Sequence, residues 1–179
     1  MIDPVTLTLW RGRIGFVLIA ALLVFLALLP IGGDAGRWPG PDVLLCIVFA
    51  WMMRRPDYLP LWLLAGVMLL ADTLLMRPVG LWAALTVIAA EVLRTRSVLM
   101  RELSFPMEWA VVAGLMLLML LIYRFVFALT LLPQVGFGAG MVQWLWSVMA
   151  YPAVVLFTSY ALALRKPSLG EIDAYGRRF

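Results

Sequence analysis

Six apolar runs, separated by short polar or proline- and glycine-marked stretches, organise this chain. Each reads as a membrane helix, over approximately residues 14–30, 42–53, 58–76, 79–93, 107–132 and 141–164. The pattern is clearest between Met53 and Trp82. There a basic turn, Arg54-Arg55-Pro56-Asp57, leads into an apolar arm from Tyr58 to Met76, and a tight turn, Arg77-Pro78-Val79-Gly80, follows. The 19 residues of that arm, at about 1.5 Å each, reach roughly 28 Å, close to the hydrocarbon thickness of a bilayer.

The other runs depart from that length in informative ways. The second has 12 residues, about 18 Å, so either protein covers its ends or it extends into the Arg54-Arg55 turn. The fifth, about 39 Å over 26 residues, must tilt or protrude. Pro30, Gly32 and Gly33 end the first run, Asp42 is placed to cap the second, Pro106 opens the fifth at its first turn, and Pro152 interrupts the sixth. Residues 133–140 read as a glycine-rich turn and 165–179 as a polar cytoplasmic tail. A cleaved signal peptide competes for the first run. The small-residue pattern that cleavage needs is poor after it, and more membrane segments follow, so an uncleaved helix is expected.

Composition supports the same class. Apolar residues make up 65% and charged ones 13%, with a mean hydropathy of +1.02, whereas a soluble domain carries about 25% charged residues. No long polar segment is available for a second domain, so residues 1–179 are read as one all-α transmembrane domain. A net charge of +4 and a pI near 9.7 could suggest nucleic acid. The basic residues instead lie in short clusters between apolar runs, where they orient membrane insertion.

With both termini cytoplasmic, 11 of the 14 Lys and Arg residues fall on the inner side. Arg37 and Arg77 are left outside and Arg124 lies inside the fifth span. The tryptophans form two belts under this arrangement, Trp10, Trp51, Trp62 and Trp109 at the inner interface and Trp38, Trp82, Trp144 and Trp146 at the outer.

Chemistry is sparse. The chain has no histidine, which removes imidazole bases, proton relays and imidazole metal ligation. Cys46 sits inside an apolar run without an activating partner in sequence. Asp34, Asp42 and Asp57 are not paired at a catalytic spacing, and Glu91 and Glu102 stand beside arginines as solvated ion pairs. Neither a phosphate-cradling glycine loop nor a GxSxG elbow is present. The residues give no reason to expect catalysis, a metal or a cofactor.

Asp72 needs more explanation. An ionised carboxylate near the centre of a membrane helix costs about 3 kcal/mol on insertion scales, and less near the interface. It therefore needs a partner: Arg124 of the fifth run, Arg77 of the following turn, or the amides of the Arg77–Gly80 turn. Structural glue between helices is the plainer reading, and a ligand or proton site the sharper one. Gly66 lets another backbone approach within the membrane, Pro78 and Gly80 enforce a tight turn, and Met116 and Met119 give the fifth helix a soft surface.

Arg55-Pro56-Asp57, then Gly66 through Leu-Leu-Ala-Asp72, then Pro78-Val79-Gly80, in a basic chain of six runs, resemble the rod-shape-determining MreD family. The resemblance covers roughly Arg55 to Glu91, with helix count, spacing and total length agreeing over the whole chain. It implies a non-enzymatic, multi-pass scaffold of the bacterial inner membrane. Such a scaffold belongs to the elongation machinery that controls side-wall peptidoglycan synthesis and rod shape. It binds MreC and works with the MreB filament and with RodA and its penicillin-binding partner.

The implied fold is a bundle similar to the S-component of energy-coupling-factor vitamin transporters. Asp72, Pro78 and Gly80 take structural or partner-docking roles, and Arg77, Gly66, Arg124, Arg55, Pro56 and Asp57 are further candidates. The alternative is a vitamin-binding S-component itself, with an outer pocket drawn from Thr130, Gln134, Gln143, Trp144 and Ser147, a thin set for a polar vitamin. The spacing of Ala20, Ala21 and Ala27 also lacks the four-residue repeat suited to docking a coupling subunit.

Overall fold

A computed structural model describes residues 4–29, 40–96, 104–130 and 136–161. Within them the chain is all-helical, with no strand. It forms α1 (Pro4–Leu28), α2 (Val43–Arg54), a 3₁₀ turn (Pro56–Tyr58), α3 (Leu61–Leu74), α4 (Leu81–Thr95), α5 (Phe105–Leu129) and α6 (Phe137–Ala161). Three stretches are long and apolar enough to cross a membrane, Thr6–Leu28, Phe105–Leu129 and Phe137–Tyr160, and they mark the chain as a membrane protein. Val43–Arg54 and Leu61–Leu74 are apolar but shorter.

The shortness of α2 has a packing cause. Every residue from Leu44 to Arg54 is buried, so protein encloses the helix all round and its length need not match a bilayer. Asp42 caps it as expected, Oδ1 accepting from the Leu45 amide at 3.0 Å. The Asp42 amide in turn donates to Ser147 Oγ of α6 at 2.8 Å, fixing the start of α2 against the last helix.

Opposite in character, α1 and α5 present most of their apolar surface outward. Among the α1 residues whose burial is described, from Thr6 on, only Phe16, Ala20 and Val24 are buried, at a four-residue spacing that draws one narrow stripe along the helix. The stripe is pinned at its amino-terminal half: the Phe16 ring lies 5.5 Å from that of Trp51, which lies 6.4 Å from that of Tyr58. Leu18, Phe25, Phe125 and Leu129 are exposed, as lipid-facing residues would be.

Because lipid tails are as apolar as leucine, burying apolar surface contributes little between membrane helices, and close packing and hydrogen bonds must hold them. The α5–α6 pair shows this. Trp109 Nε1 donates to the Val148 carbonyl at 2.8 Å, and Trp144 Nε1 donates to the Ala113 carbonyl at 3.0 Å. Each bond joins an indole of one helix to the backbone of the other, four residues apart on both, which sets an antiparallel register.

Several boundaries differ from the sequence reading. α1 starts at Pro4 rather than near residue 14, so Arg11 and Arg13 are helical, and Gly138 and Gly140 belong to α6 rather than to a turn. Pro152 sits inside α6 without ending it. Trp51 is a buried packing residue, not an interfacial one. Arg54 is also buried, for a reason given below. Arg37, Trp38, Arg101, Glu102, Gln134 and the tail 165–179 lie outside the described residues.

Candidate functional site

The buried charged side chains among the described residues, Arg54, Asp72 and Glu108, lie at two nodes. The first lies at the turn between α3 and α4. α3 ends in a Schellman arrangement: Met76 takes a left-handed backbone with φ of 54°, its amide donates to the Thr73 carbonyl, and the Arg77 amide donates to the Asp72 carbonyl at 2.9 Å. Gly80 then enters α4 at φ of 89°, a region that favours glycine.

This tight reversal brings Asp72, on the last full turn of α3, against the first amides of α4. Asp72 Oδ2 accepts from Gly80 N at 3.1 Å and from Ala83 N at 3.0 Å. The carboxylate is fully buried, and it supplies charge where a helix amino terminus carries unsatisfied N–H groups and a positive dipole. Of the three partners the sequence left open, the turn amides hold it, not Arg77 or Arg124. Asp72 Oδ1 is buried without a hydrogen bond.

Arg77 reaches sideways instead. Its Nη1 lies 3.5 Å from Asp42 Oδ2, and its guanidinium carbon stands 5.7 Å from the Trp82 ring centroid. Asp42 thus joins three elements: it caps α2, bonds Ser147 of α6 through its amide, and pairs with the α3–α4 turn. Arg124 lies over Phe137 at 5.2 Å, stacking α5 on the start of α6. Pro78 is exposed on the turn. Gly66 is exposed on α3, and a Cβ there would meet nothing within 4 Å. Close packing of Gly66 against another of the described helices is therefore not realised.

The second node was not foreseen. Arg54, the last residue of α2, turns into the bundle and donates from Nη1 to Glu108 Oε1 of α5 at 3.1 Å and to the Ala50 carbonyl at 3.2 Å. Tyr151 of α6 donates its hydroxyl to the same Glu108 oxygen at 2.9 Å. Arg54 is 6% exposed, and Glu108 and Tyr151 are fully buried. The sequence reading placed Arg54 in a basic turn on the inner side; the structure buries its side chain, because Glu108 supplies a counter-charge one turn into an apolar helix. The available signal was an acid two residues past Pro106 facing an arginine at the end of another span, with a tyrosine beside Pro152.

Beside this node, Arg55, Pro56 and Asp57 form the turn between α2 and α3. The Arg55 amide donates to the Trp51 carbonyl at 2.7 Å and the Tyr58 amide to the Arg55 carbonyl at 3.1 Å. Arg94 of α4 donates from Nη2 to the carbonyls of Pro56 and Leu59, clamping the turn from the side. Glu91 and Arg94 stand 3.8 Å apart as a partly exposed pair.

Gln143, Trp144 and Ser147, expected in an outer pocket, do line a hollow with Asp42 and Trp82. Its volume is about 30 Å³, room for a water molecule. Thr130 instead bonds its own helix carbonyls, Val126 and Phe127. Cys46 is buried, its thiol donating to the Ser147 carbonyl at 3.3 Å. Among the described residues no group of three or more Cys, Asp or Glu side chains is placed to hold a metal ion.

Chemically, both nodes fix helices: each buried charge is spent on a backbone amide, a carbonyl or an opposite charge from another element. Compared with family models, curated proteins and solved structures, the chain matches none.

Proposed function

We propose that the chain is a non-catalytic scaffold of the bacterial inner membrane, of the MreD type. In this reading it has six membrane helices and both termini on the cytoplasmic side. It binds a single-pass partner of the MreC type and helps control side-wall peptidoglycan synthesis together with MreB and the RodA–penicillin-binding protein synthase. The observation that most supports this reading is that three of the residues carrying the resemblance act as one unit. Asp72, Pro78 and Gly80 build a single turn in which the carboxylate caps the next helix.

Two further points agree with it. Arg54, Glu108, Asp42, Asp72 and Arg77 are engaged in holding helices together, as expected of a rigid platform. The hollow beside Gln143 and Ser147 is also far below the roughly 300–1,000 Å³ of small-molecule sites, which weighs against the vitamin-binding alternative. Photocrosslinking in intact cells from Thr73 on α3 and Leu129 on α5 tests the proposal. Capture of a single-pass protein with a periplasmic coiled coil, with loss of rod shape when the scaffold is depleted, is the expected result. A labelled vitamin that co-purifies stoichiometrically with the chain overturns it.

A further inference from the structure

α1 packs on the 3₁₀ turn that precedes α3 and on α2, and it borders α3 beyond them. Between α1 and α3 run two apolar hollows that share Val17. One is about 160 Å³, bordered by Trp10, Arg13, Ile14 and Trp62; the other is about 270 Å³, bordered by Ala20, Ala21, Val24, Leu70 and Leu74. The hollows lie beside the place where α1 is held most closely. Gly12 packs so tightly on Tyr58 that a Cβ would stand 2.5 Å from its ring, and Phe16 packs on Trp51, whereas in the following turns only the small or short side chains of Ala20 and Val24 are buried.

The groove is narrow. The longer hollow follows about 16 Å of helix, from Val17 to Leu28, and is too small to enclose that length of a helix of roughly 10 Å diameter. A single alkyl chain fits such a slot and a transmembrane helix does not.

One end of the groove is chemically distinct. Arg13 lines it, with its guanidinium carbon 5.6 Å from the Trp10 ring centroid and its Nε buried without an acceptor among the described residues. Trp10 and Trp62, both exposed, flank the same end, as aromatic residues do at the level of lipid headgroups. A cation lacking an acceptor above an alkyl-wide slot, between two interfacial indoles, complements a negative headgroup carrying an acyl chain.

We propose that the α1–α3 groove is a binding site for an anionic phospholipid, one acyl chain lying along Val17 and Ala21 and the phosphate received by Arg13. The site requires a bilayer but not the scaffold role, so either proposal can fail without the other.

The test uses the full chain in nanodiscs containing photoactivatable phosphatidylglycerol or phosphatidylcholine carrying the label on the acyl chain, with labelled peptides mapped. The expected result is about fivefold stronger labelling of α1 and α3 by phosphatidylglycerol, the preference that one basic residue near an anionic surface confers. Arg13→Gln reduces the ratio to about one. Arg11→Gln, an exposed neighbour that does not line the groove, leaves it unchanged. Ala21→Trp fills the slot and lowers labelling by both lipids, while labelling of α5 persists as the control for folding. Equal labelling by the two lipids in the parent chain overturns the proposal, as does an equal effect of Arg11→Gln, or a groove occupied by a co-purified protein helix.

Discussion

The Tyr151 hydroxyl donates to Oε1 of Glu108 at 2.9 Å, and through that oxygen α6 is tied to α5 and, by way of Arg54, to the end of α2. A buried ion pair of this kind is weak support for stability as a whole, yet removing one partner leaves an uncompensated charge. Glu108→Ala and Arg54→Ala should each destabilise the bundle by about 3–5 kcal/mol. The apolar triple Arg54→Met, Glu108→Met, Tyr151→Phe should stay close to the parent. The check is the temperature at which half of the detergent-solubilised protein leaves the monodisperse peak. A triple variant as unstable as the singles would show that the node does more than satisfy its own members.

Asp72 acts on backbone amides, so charge at a distant residue cannot replace it. Asp72→Ala should cost about 1–3 kcal/mol, since two amides lose their acceptor in a buried setting. Asp72→Asn keeps an oxygen able to accept and should cost less. The exchange Asp72→Arg with Arg124→Asp should give no rescue over Asp72→Arg alone, read in the same thermal assay.

Two backbone positions in the turn should respond in opposite directions. Gly80→Ala puts a Cβ on a left-handed residue, at a cost of about 1–2 kcal/mol. Met76→Gly removes that same strain from a residue that is 93% exposed and should stabilise by up to about 1 kcal/mol. Paired melting curves of the two variants settle the signs.

Gly12 is predicted to be intolerant. A methyl group there overlaps the Tyr58 ring, and overpacking of that kind costs about 1–3 kcal/mol. Gly12→Ala should therefore loosen α1, detectable as faster proteolysis between α1 and α2. Tyr58→Leu in the same chain should restore part of the protection.

Much of the architecture was legible because bilayers impose a simple rule on sequence: long apolar runs become helices, and prolines and glycines mark where they stop. Asp42 as a cap and Asp72 as a residue in need of a partner followed from single-residue chemistry. What escaped was what depends on three elements meeting. Arg54 reads as one more basic residue of a turn until Glu108 and Tyr151 arrive from segments about 50 and 100 residues away. Trp51 likewise fits an interfacial belt by depth and is in fact packed between Phe16 and Tyr58. Conversely, Gly66 suggested close packing from its residue type, but which side of α3 it occupies is set by the other helices.

The enclosure of α2 bears on how the chain is made. A 12-residue segment ending in arginine is a poor substrate for stable release into lipid by itself. Its surroundings come largely from α4 and α6, the latter synthesised more than 80 residues later. In the six-span arrangement proposed above, insertion would therefore be completed out of order, α2 gaining its wrapping only once α6 has been made. Chains truncated before residue 137 would be left with an orphaned segment for membrane quality control to remove.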